Sequence, residues 1–154
     1  GLLDCSTFYK HLCGWLDNHG YTKNELINEE QVLEEGKQIK IHQEPFKQIS
    51  DYAKVEMQID IVFSGLNEVE IEKDGKKQKI DKGDVEMHVE TFLITDYEKR
   101  WQNKPFYYFT KKILERFFFG SYMDQYKEEL REDKDSLMQE MKKFLNLKRF
   151  KFEQ

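Results

Sequence analysis

Lys54-Val55-Glu56-Met57-Gln58-Ile59-Asp60-Ile61-Val62-Phe63 alternates along its length, with Val55, Met57, Ile59, Ile61 and Phe63 on one side and Glu56, Gln58 and Asp60 on the other. A period of two marks a strand with one buried and one wet face, the habit of antiparallel sheets. Such a sheet must cover its apolar face with a second layer. The fold class therefore turns on what the flanking sequence offers as cover.

Both flanks read as helical. Between Ser6 and His19 the residues Phe8, Leu12, Trp15 and Leu16 recur at amphipathic helix spacing, and Gly20 stands where a helix stop belongs. Beyond Tyr97 the period becomes helical again. Pro105 suits a first helical position, and Phe106 to Phe119 is rich in aromatic residues on more than one face, with Gly120 expected to break the helix. A last long segment places Tyr126, Leu130, Leu137, Met141 and Leu145 on one stripe, opposite the ion-rich run Glu128 to Asp135. It reads as a surface helix.

More strands lie around the central one. Lys37 to Gln43 alternates Ile39 and Ile41 with polar neighbours until Pro45 ends it, and Val85 to Thr95 puts Val85, Met87, Val89, Thr91 and Leu93 on one face. Asp74-Gly75 is the dipeptide favoured by a two-residue hairpin turn. It sets Glu72 opposite Lys77, Ile71 opposite Gln78, Glu70 opposite Lys79 and Val69 opposite Ile80. Ser64-Gly65-Leu66-Asn67 and Lys82-Gly83-Asp84 read as turns, and the polar stretch from Tyr21 to Gly36 as a short turn or helix docked by Leu26, Ile27, Val32 and Leu33. The expectation is one α+β domain over residues 1–154. It has an N-terminal helix, a mostly antiparallel sheet of about four to five strands, and two or three C-terminal helices packed on one sheet face.

Composition agrees with a folded chain. Charged residues make up 36% of the 154, yet aromatics reach 14%, whereas a disordered chain of such polarity would be poor in them. No apolar run approaches the roughly 18 residues of a membrane span, and Gly1-Leu2-Leu3-Asp4 lacks the basic-then-apolar order of a secretion signal. Cys5 and Cys13 stand eight apart in one expected helix, with α-carbons about 12 Å apart, too far for a disulfide. Free thiols suit a reducing compartment, so the expected location is cytoplasmic.

Motifs that carry chemistry are sparse. Glu86, His88 and Glu90 share one strand face, where Glu56 and Asp60 would join them if the two long strands are neighbours. That is an ingredient of a metal or acid–base site, but alternating charge on a wet sheet face gives the same pattern. No second histidine stands at ligand spacing: His11 and His19 are eight apart, and His42 stands next to a strand end without a partner. Serines lack a nucleophile context and the glycines serve turns rather than phosphate cradles. No cofactor or metal is implied.

Charge is unevenly divided. Residues 97–154 carry 14 Lys or Arg against 10 Asp or Glu, and residues 1–96 carry 11 against 20. The basic groups of the C-terminal half, Lys111, Lys112 and Arg116 in the aromatic segment and Lys142, Lys143, Lys148, Arg149 and Lys151 near the end, are the candidate partner-binding residues. The expected function is a non-enzymatic binding or adapter domain that contacts a protein partner or assembly through this aromatic and basic half. Two alternatives stand beside it. RNA or a ribonucleoprotein could be held by the basic tail. An apolar small molecule could lie between sheet and aromatic helix, since the order of sheet then long helix is similar to the helix-grip arrangement of lipid- and polyketide-binding proteins.

Overall fold

The computed structural model describes residues 1–50, 53–73, 75–95 and 120–152. In chain order these form β1 (Leu2–Leu3), α1 (Cys5–Asn18), β2 (Glu25–Leu33), β3 (Gly36–Gln43), β4 (Phe46–Gln48), β5 (Ala53–Lys73), β6 (Lys76–Thr95) and α2 (Gly120–Phe152). The sheet has six strands in the order β1-β6-β5-β3-β2, with β4 also paired to β5, and every pairing is antiparallel. That is more than the four to five expected, because β1, β2 and β4 carry no inward period, while segments expected as separate strands run on as β5 and β6.

The inward face is the one the alternation foretells. Val55, Met57, Ile59, Ile61 and Phe63 are buried, and α1 covers them with Phe8, Leu12, Trp15 and Leu16. Asp4 caps α1 by accepting from the Thr7 N–H at 2.9 Å, and Gly20, at φ +76°, lies just past its end. Helix α2 closes the same layer through Leu130, Leu137 and Met141. Phe8 is the hub, with its ring edge-on to Phe63 at 5.5 Å and to Phe144 at 6.2 Å.

The hairpin register is as read, with Glu72 opposite Lys77 and Val69 opposite Ile80. Its ion pairs run diagonally, Lys77 to Glu70 at 3.9 Å and Lys79 to Glu68 at 2.5 Å. Long side chains reach such diagonal neighbours across a twisted ribbon.

Four expectations are corrected. Ser64 to Asn67 is a bulge within the 21-residue β5, and Lys82 to Asp84 runs inside the 20-residue β6. Gly65 takes φ +59° in the bulge, while Gly83 is needed because the Ser64 carbonyl passes where its Cβ would stand. Tyr21 to Gly36 holds the strand β2, not a turn or helix. All nine of its residues are exposed, so no inward period could betray it. Among the described residues one C-terminal helix, Gly120–Phe152, follows the sheet where two or three were expected. The helix expected from Pro105 to Phe119 lies outside the described residues.

Candidate functional site

Strand register assembles the charged face that the sequence suggested and adds a residue to it. His42 on β3, Asp60 on β5 and His88 on β6 stand in one row across three strands. The His42 Nδ1 lies 2.6 Å from Asp60 Oδ1, and its Nε2 lies 3.3 Å from Glu44 Oε1. Hydrogen bonds to Asp60 and then Glu44 hold the His42 pKa above its ordinary value and favour the cation. Gln58 completes this corner by donating to Glu44 at 3.4 Å.

With both ring nitrogens engaged by carboxylates, His42 has no free nitrogen to offer a metal or a substrate proton. His88 pairs separately with Glu90 at 3.1 Å, in the open, with two-thirds of its side chain exposed. Among the described residues no group of three or more His, Cys, Asp or Glu is placed to hold a metal ion. The face is thus a set of paired charges, of which His42 with Asp60 ties two strands together while His88 with Glu90 lies along one. Glu56 stands apart from the row, paired with Lys54 at 2.9 Å.

The candidate basic residues divide in two. Lys142 and Lys143 are exposed on α2, next to the buried Met141. Lys148, Arg149 and Lys151 belong to the backbone of α2, but their side chains lie outside the described residues, as do Lys111, Lys112 and Arg116 altogether. The sequence missed a polar cluster beneath β2. Gln43 is fully buried and donates to the Tyr9 hydroxyl at 2.7 Å, which in turn donates to Glu25 at 2.5 Å. Burial and the Glu25 contact push the Tyr9 hydroxyl well above its ordinary pKa, so it stays a donor.

The largest surface feature that was missed is β2 itself. Leu26, Ile27, Val32 and Leu33 are all exposed, Val32 by 82%. A signal was present, since a run with two apolar pairs ends at the two-residue turn Glu34-Glu35, which Gly36 follows at φ +122°. An open cleft of about 250 Å³ lies between β1, β6 and α2, lined by Leu3, Val85, Leu145 and Asn146 among others. It is smaller than the roughly 300 Å³ at which small-molecule sites begin. No helix among the described residues is long and apolar enough to cross a membrane. The chain matches no family model, no curated protein and no solved structure.

Proposed function

We propose that the chain is a non-catalytic binding or adapter domain whose partner is another protein. The observation that carries this reading is β2, a strand of nine exposed residues with large apolar groups at both ends. Exposed apolar surface on a soluble fold favours contact with a partner. The pairing of His42 and His88 with neighbouring carboxylates supports a structural use of the only histidine-rich face among the described residues. The free thiols Cys5 and Cys13 support a reducing, cytoplasmic setting.

A photo-crosslinking amino acid at Gln31, introduced in the source cell, tests this reading. The expected result is one or a few discrete protein adducts that are absent from a control carrying the crosslinker at the exposed position Asp84. Identical adducts at the two positions, or none, would refute it.

A second contact is supported by Lys142 and Lys143, which are exposed and make no ion pair among the described residues. Replacing Lys142, Lys143, Lys148, Arg149 and Lys151 together by Gln should weaken capture of the partner, and replacing the exposed Lys142 and Lys143 alone should leave Tm nearly unchanged, since exposed lysines add little to stability. A steep fall of capture with salt in the parent would point to a phosphate-bearing partner such as RNA. Unaltered capture by the fivefold variant would reduce the basic tail to solvated surface.

A further inference from the structure

Strand β2 pairs with β3 on one side, and among the described residues no strand pairs with its other side. Its outward N–H and C=O groups therefore form a template for one more strand. Proteins usually blunt such edges with lysine, proline or a central bulge. From Glu25 to Gly36 there is no Lys, Arg or Pro, and the one irregularity in pairing sits at the start, between Glu25 and Ile27. Among the described residues the edge is unpaired where it is longest.

Charge says what could occupy it. Glu29 and Glu30 lie at the centre of β2 and, as successive strand residues, point to opposite faces. Glu30 meets Lys37 at 2.9 Å, while Glu29, Glu34 and Glu35 make no ion pair among the described residues. On either side of the central acids stand the exposed pairs Leu26-Ile27 and Val32-Leu33. A second copy pairing β2 against β2 would set acid against acid at the middle of the ladder, which is destabilising. Glutamates alone would suffice to keep copies apart, but they do not explain four large apolar side chains left in water around them. A strand with two adjacent basic residues between apolar ones satisfies both features at once.

We propose that β2 receives an extended segment of a protein partner as an added antiparallel strand, with adjacent Lys or Arg residues over Glu29 and Glu30 and apolar residues over the two ends. This rests on the reading of the chain as a protein-binding domain and names the chemistry of what it binds. Backbone hydrogen bonds supply the attachment, and the charges and apolar pairs supply the register.

The probe is the peptide acetyl-Ile-Val-Thr-Lys-Lys-Thr-Val-amide, titrated into the labelled protein and followed by amide NMR. Expected are shifts centred on residues 26–33 and slowed hydrogen exchange at the amides of β2 that face outward. A peptide with Glu-Glu at its centre should bind roughly tenfold more weakly, and the double variant Glu29→Lys/Glu30→Lys should reverse that preference. Both positions are exposed, and an unchanged spectrum outside β2 verifies that the variant folds. A peptide N-methylated at those alternate residues whose N–H groups would face β2 cannot form the ladder and should not bind.

Three results would overturn the proposal: no shift in β2 up to about 1 mM peptide, equal binding by the N-methylated peptide, or a dimer that Val32→Lys dissociates. Its failure is separable from that of the broader reading. Adducts at Gln31 with no peptide binding would leave a protein-binding domain of different specificity, whereas peptide binding without adducts would leave an edge that the cell does not use.

Discussion

Replacing Gly83 by alanine tests whether this residue lies in a turn, as its neighbours Lys82 and Asp84 suggest, or inside a strand pressed against the β5 bulge. A methyl group there would sit 2.7 Å from the Ser64 carbonyl oxygen and 2.8 Å from Leu66 Cδ2. The first contact is with backbone, which cannot swing away as a side chain can. Overpacking of this kind costs about 1–3 kcal/mol, and the stiffer unfolded chain returns about 0.4–1 kcal/mol. A net loss of about 1–2 kcal/mol should remain. At roughly 2–4 °C per kcal/mol for a chain of this size, Tm should fall by about 2–8 °C. Gly14, within α1, is the internal control, because a methyl group there meets nothing within 4 Å. Gly14→Ala should stabilise by about 0.8–1 kcal/mol through helix propensity alone. Thermal and urea unfolding of the two variants should therefore move in opposite directions. Were Gly83→Ala to melt at or above the parent temperature, the close packing of β6 on the bulge would be wrong and the turn reading would return.

Ile59→Ala should cost about 2–5 kcal/mol in urea unfolding and Gln58→Ala no more than about 0.5, since Ile59 is fully buried while its neighbour points to the opposite face; equal losses would mean that the faces are misassigned. Burial first, then the nearby Asp81 and Asp4, raises the Cys5 thiol to about 11. At pH 8.5 it should react with iodoacetamide roughly a hundredfold more slowly in the native than in the denatured protein, and equal rates in a peptide-mapped time course would contradict its placement. His42 is held above its ordinary pKa by Asp60 and Glu44, so its contribution to stability is complete below about pH 6.5 and fades as pH rises through the folded value. The parent should lose a little stability between pH 6 and 8 that His42→Gln does not lose, and parallel pH profiles for the two would remove the clamp.

The basic residues of the candidate surface were legible only as composition. For Lys142 and Lys143, exposure follows from their place beside the Leu137 and Met141 stripe, which a helical period already separates from its polar flanks. The pair Glu86 and Glu90 around His88 was likewise legible as one face, because strand geometry makes every second residue a neighbour. What that face does was not legible. The partner that engages His42 most closely is Asp60, 18 positions away, and only the pairing of β3 with β5 brings them to 2.6 Å.

The sequence by itself determined whatever a local period or a single dipeptide can encode. The inward set Val55 to Phe63, the apolar stripe and stop of α1, and the register around Asp74-Gly75 all follow from rules that act over a few residues, and the fold keeps them. Tertiary structure decided the rest. It made strands through Gly65 and Gly83, whose lack of a side chain serves a bulge and a close approach that exist only once β5 and β6 lie side by side. It also made Glu25–Leu33 a strand although neither of its faces is buried. An edge strand is specified by the hydrogen-bonding neighbour it finds and not by a core it fills, so burial wrote no alternation into its residues, and the surface most open to a partner was the least visible in the chain.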